Sequence, residues 1–362
     1  MRRSSTFVAL MTLLLPLGLA RLDAQDVDYT QHLRVFTGRG EPATLEDIVR
    51  AMPSADVVFV GETHTDPVGH WVEAELVRGA LASARAGEES GALRPVALSL
   101  EMFERDVQGI VDEYLRDLIT EDQFENSARP WDYYETDYRP MVEMAKAAGA
   151  PVIAANAPRR YVNRVTRLGR DALYDLPPRS RSVLPPLPYP QPSDAYRAEW
   201  LALMAEMPMQ RQCEPPTPEA EGEDHAVVDP QAMAQPHEPP AESPPTGMPS
   251  HMASFMENGL QAQSLWDASM AYAISTFLET HPGALVLHMV GGFHIENFTG
   301  IPEQVQFYRP RTRRLVVSME PVEDFRTFDA EEHAGQGDFV ILTDESLDLD
   351  YERNCTEKET GR

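Results

Sequence analysis

The chain has 362 residues, with 31 Lys and Arg against 58 Asp and Glu, a formal charge of −27. Such a surface repels nucleic-acid phosphates and anionic lipid headgroups, which argues against nucleic-acid partners; it leaves cations or metal ions as partners, or simple solubility. Two cysteines, Cys213 and Cys355, are too few for a disulfide framework.

Residues 1–24 read as a secretory signal peptide: Arg2 and Arg3, the apolar run FVALMTLLLPLGLA, then Ala24 as the cleavage position. An uncleaved anchor is the alternative reading. Cleavage removes three Arg and one Asp, leaving 28 basic and 57 acidic residues, a charge of −29. No other segment is apolar for long enough to span a membrane. The expectation is an exported protein of the periplasm or cell envelope, without a lipid-bearing cysteine at the cleavage position.

Along the remaining chain, DVVFVG (56–61) reads as a strand and residues 69–85 as the helix after it. PVALSLE (95–101) is a second strand, followed by a helix over 105–119. A helix over 138–149 precedes PVIAAN (151–156). A proline-rich connector, 177–192, is expected to be extended, and 193–207 is a helix capped by Ser193 or Asp194. Residues 207–250 hold 11 of the 31 prolines and few large apolar residues, the composition of a disordered acidic insertion. A long helix over 253–281 precedes ALVLHMVG (284–291), and RRLVVSME (313–320) and FVILTD (339–344) complete six strands.

Apolar strands alternating with helices predict an α/β fold with a mainly parallel sheet flanked by helices. The last two strands follow one another without a helix, so an antiparallel edge is expected there. Residues 25–206 and 251–345 are two parts of one domain, and 346–362 are a flexible tail.

In an open parallel sheet, ligands bind beyond the carboxyl ends of the strands. The first predicted strand ends at Gly61, Glu62 and His64, the second at Glu101, the third at Asn156 with Arg159 and Arg160 behind it. The fourth exits through GGFH to His294. GETH and GGFH share a G-x-x-H pattern, but GEDH in the insertion repeats it by chance, so the strand context carries the signal. An imidazole there can ligate a metal, act as a base, or be a hydrogen-bonded structural residue. Glu62, His64, Glu101 and His294 together offer oxygen and nitrogen ligands for a divalent metal. Glu62 can also act as a general base or bond to loop amides. His70, six residues past His64, reads as a helix cap or an outer residue of the site. Arg159 and Arg160 can hold a carboxylate or phosphate, or neutralise Glu62 and Glu101. Asp267 is either exposed or reaches the rim, beside a core-facing stripe holding Trp266 and Met270. Tyr133, Tyr134, Tyr138 and Tyr161 lie near strand exits, where tyrosinate could serve as a haem ligand, although core packing accounts for most tyrosines.

The ordered blocks VVFVGETHTDPVGH, SLEMFERDVQ, YRPMVEMAKAAGAPVIAANAPR, AQSLWDASMA and GGFHIENFTGIPEQV resemble the ChaN-like haem-binding uptake family of the Tiki, TraB and erythromycin-esterase superfamily, over about residues 45–310. The resemblance implies an α/β fold and an envelope protein that binds haem as cofactor, as a homodimer with haem between subunits. His64, His294, Glu101 and Arg159 are then the cofactor-binding candidates. For the wider superfamily it implies a metal-dependent hydrolase, a peptidase or esterase, centred on Glu62 and His64 with His294 and Glu101. Many relatives carry a lipobox cysteine, which this chain lacks, and residues 207–250 stand where relatives have helical sequence. No haem-ligating tyrosine maps onto the chain by motif.

Overall fold

The computed structural model describes residues 27–89, 94–206 and 250–347. The expected signal peptide, the insertion apart from Ser250, the tail beyond Leu347 and both cysteines lie outside the described residues.

Strands β1 (Leu33–Thr37) and β2 (Pro42–Ala43) precede α1 (Leu45–Ala51), β3 (Val57–Glu62), α2 (Pro67–Glu89) and β4 (Val96–Glu104). Next come α3 (Gln108–Leu115), α4 (Glu121–Ala128), α5 (Arg139–Ala148), β5 (Val152–Asn156) and α6 (Arg159–Leu168). The chain continues through α7 (Pro178–Arg181), α8 (Asp194–Glu206) and α9 (Ser250–Thr280) to β6 (Leu285–Gly291), α10 (Ile301–Tyr308), β7 (Arg314–Val322) and β8 (Phe339–Asp344). Local chemistry sets several ends. Thr44 with Asp47 and Thr120 with Gln123 form capping boxes, and Gly149 closes α5 in a left-handed conformation. The connector expected to be wholly extended contains the short α7.

The eight strands form one sheet in the order β2-β1-β8-β7-β3-β6-β4-β5. All six predicted strands are present, and they pair with one another in parallel. The antiparallel edge exists, but not where the chain order suggested. β7 and β8 run parallel, and β1 supplies the edge by pairing antiparallel with β8 and β2.

Alternation along the strands divides the core. Val58, Val60, Leu98, Leu100, Leu287 and Met289 face α1, α2 and α5. Val57, Phe59, Ala97, Val286 and Val290 face α9 and α10. A further cluster packs α6 on the first half of α9. No described helix is long and apolar enough to cross a membrane.

Candidate functional site

Because β3, β6 and β4 are adjacent and parallel, their carboxyl ends lie side by side, and Glu62 is paired with Gly291 in register. Glu62 shares the parity of Val58 and Val60, which directs it toward α2. Its Oε1 accepts from Tyr138 Oη at 2.6 Å and lies 2.8 Å from His64 Nδ1, while its Oε2 lies 3.0 Å from His70 Nδ1. His70 sits in the first turn of α2, and Glu73, on the same face, places Oε2 3.2 Å from His70 Nδ1. His70 Nε2 lies 3.1 Å from the His64 carbonyl and 3.5 Å from Asp137. Asp137 and Tyr138 arrive through a π-helical turn, Tyr134–Tyr138. Buried Asp66 sets the start of α2, accepting from the Val68 amide and from Thr343 Oγ1.

The second group lies on the α9 side. His294 is presented by a tight turn after β6, and its Nδ1 lies 2.5 Å from Asp267 of α9. Its Nε2 faces Gln263 at 3.1 Å and Glu101 at 3.8 Å. Glu101 also accepts from the Gly291 amide at 2.9 Å.

The two glycines explain the repeated pattern. A Cβ on Gly291 would lie 3.1 Å from His64 Nε2 and 3.7 Å from Glu101 Oε2. One on Gly61 would lie 2.8 Å from Ile295 and 3.0 Å from Gly292 Cα. Each G-x-x-H glycine therefore makes room for residues of the other motif. The four residues singled out from the sequence, Glu62, His64, Glu101 and His294, meet over these two positions.

The electrostatics follow from burial among carboxylates. Burial would raise Glu62, but the His70 charge and the hydrogen bond with His64 outweigh it and hold the carboxyl well below its usual range. Burial, then the Glu62 charge, pushes Glu73 up to about 8. For His64 burial opposes charge, yet Glu62 lifts it to about 9, with solvent reaching 44% of the side chain. His70 is raised well above its ordinary value because Glu62 and Glu73 overcome burial. His294 is raised against burial by Asp267 and Glu101, while Asp267 is raised chiefly by burial.

Glu296, two residues past His294, is pushed up to about 7 by burial and then by the charges of Glu320 and Glu199. The folded state binds this proton more tightly than the unfolded chain, so stability falls as pH rises from the ordinary value of 4.5 through about 7. Glu296→Gln should remove that slope and gain up to about 3 kcal/mol at pH 8. Urea midpoints of both proteins at pH 5 and pH 8 check this; a gap unchanged between the two pH values would contradict it.

Several residues stand elsewhere than the sequence suggested. Of the two placements open for Asp267, exposed or reaching the rim, the second holds: it is fully buried and pairs with His294. Arg160 pairs with Asp106 at 2.7 Å and reaches Glu104 at 3.8 Å, not Glu62 or Glu101. Arg159 is exposed at the start of α6, its amide donating to Glu104. Glu73, Asp137 and Gln263 belong to the site without having been singled out. The spacing of His70 and Glu73, three apart on one helix, was the available signal for one of them. Tyr134 and Tyr161 are core residues, whereas Tyr138 bonds to Glu62.

A family model described as haem-binding uptake, Tiki superfamily, ChaN matches residues 48–305. The chain belongs to this family. Among solved structures, ChaN of Campylobacter jejuni, described for cofacial haem binding, is similar to this ChaN-family chain at a TM-score of 0.57 and 13% identity, covering 86% of this chain and 97% of that one. At that identity the likeness concerns the fold. The type III effector HopBA1 aligns more distantly, at a TM-score of 0.41 and 12% identity over 83% of this chain and 93% of that one. Comparison with curated proteins finds no significant match.

Proposed function

We propose that this ChaN-family chain is an exported haem-binding protein that holds its ligand at the carboxyl-end rim of the sheet. The observation that carries the reading is His64: an exposed imidazole at the β3 exit, its Nδ1 on Glu62 and its ring edge-on to Trp131 at 4.7 Å. A carboxylate on Nδ1 fixes the ring and leaves Nε2 as the ligating atom. Were haem bound there, His64 would be the residue to ligate its iron. Exposed Arg159 stands at the exit of β5, three strands from β3, and at about 4.8 Å per strand it is about 14 Å away along the rim. Arg159 would then be the cation for a propionate. The residues fit the group.

Titrating full-length protein with ferric haem should give a shifted Soret band that His64→Ala weakens at least about tenfold. A variant binding as the parent does would overturn the assignment to His64; a parent causing no spectral change would overturn haem binding itself. Light scattering of the same samples, with and without haem, tests the homodimer. Export rests on the basic and apolar start of the chain. Native protein should begin at Gln25, and N-terminal sequencing that reads Met1 would refute this.

A second reading, a metal-dependent hydrolase (peptidase or esterase) using Glu62, His64, Glu101 and His294, is favoured by the Asp267–His294 pair. Asp267 on Nδ1 leaves His294 Nε2 aimed at Glu101, an arrangement suited to a base or a metal ligand. Ester or peptide turnover by metal-supplemented protein, lost in His294→Ala, would bring this reading forward.

A further inference from the structure

We propose that a divalent transition-metal ion binds beneath the rim, held by Glu62, His70 and Glu73. One ligand atom from each residue lies within 4.8 Å of the other two, and all three side chains are buried. Such separations suit donors around one ion, and two carboxylate oxygens with one imidazole suit a borderline divalent metal such as Zn²⁺ or Mn²⁺.

Two observations point to an ion rather than to a self-contained salt bridge. First, buried oxygens are left over. Glu73 Oε1 has no hydrogen-bond partner, and Glu62 Oε2 touches His70 without hydrogen-bond alignment. Buried carboxylate oxygens without partners are costly unless a cation meets them. Among the described residues the ion pairs of Glu62 and Glu73 are made with histidines, so no Lys or Arg supplies permanent positive charge.

Second, the histidine is oriented for the task. His70 Nε2 lies 3.1 Å from the His64 carbonyl, which can only accept, so Nε2 carries a hydrogen. Nδ1 is then the nitrogen left to ligate once its proton is lost, and it is the atom that touches both Glu62 and Glu73. A metal there takes the place of the Nδ1 proton, which is released to solvent. Glu62 joins the two levels, because its other oxygen bonds to His64 at the rim.

This site shares only Glu62 with the four-residue rim set, does not use His64 as a ligand, and is tested on haem-free protein. Full-length protein, stripped with chelator and reloaded with Zn²⁺ or Mn²⁺, should retain one ion per chain by elemental analysis. Its thermal midpoint should rise on loading. Glu73→Gln should weaken retention at least about tenfold and abolish the rise. X-ray absorption of the Zn²⁺-loaded parent supplies a readout that needs no variant: one imidazole among oxygen donors is expected. A second imidazole would bring in a rim histidine, His64 or His294, and overturn the proposal, as would retention unchanged in Glu73→Gln or no retained ion at all.

Discussion

Asp267→Ala should cost about 3–5 kcal/mol of folding stability, among the largest losses of any single substitution in the chain. Asp267 is fully buried, with Oδ1 2.5 Å from His294 Nδ1, and His294 is itself only 6% exposed. Removing the carboxylate leaves a buried imidazole whose raised proton affinity depended on it, next to Glu101 and Gln263. A cavity in α9 adds to the loss. Asp267→Asn keeps the volume, so its smaller loss should isolate the charge from the packing. Urea unfolding checks both through a lower midpoint at an unchanged slope. A midpoint equal to the parent's would show that His294 does not depend on Asp267.

Phe59→Ala should be comparably severe, about 3–5 kcal/mol, for a different reason. Phe59 sits mid-strand in β3, fully buried, facing α9 and meeting the edge of His288 at 6.0 Å between ring centres. Its side chain takes no part in the rim. The folded fraction should therefore bind haem as the parent does, while the denaturation midpoint drops sharply. Loss of haem binding in protein that remains folded would show that the rim depends on core packing beneath it.

The contrast between these two positions mirrors what could be read from the chain. Runs such as DVVFVG and ALVLHMVG are buried on both faces, so their strands were visible as unbroken apolar stretches. β1 was missed because LRVFT is short and carries exposed Arg34, and β2 because Pro42–Ala43 is a two-residue edge with no periodicity. The antiparallel edge was misplaced because pairing partners are a long-range property: β8 joins β7 in parallel and β1 in antiparallel, with no local sign of either. At the site, Glu62, His64, Glu101 and His294 were legible because strand exits mark them. Glu73, Asp137 and Gln263 come from helical faces whose direction is settled only by packing. A carboxylate on a helix reads as a solvated residue until the sheet beneath it is known.

The placement of β6 has a consequence for how the molecule matures. β6 lies between β3 and β4, although about 180 residues separate it from β4 in the chain, and the other neighbour of β3, β7, comes later still. A ribosome-bound chain that has emerged only through α8 therefore carries β3 with both edges unsatisfied and β4 with one, a state that invites mispairing with other chains. In that half-made protein Glu62 and Glu101 have no Gly291 between them, and His294 has not been synthesised. The rim is complete only after the last third of the chain has joined the middle of the sheet, and until then the open edges of β3 and β4 are exposed to mispairing.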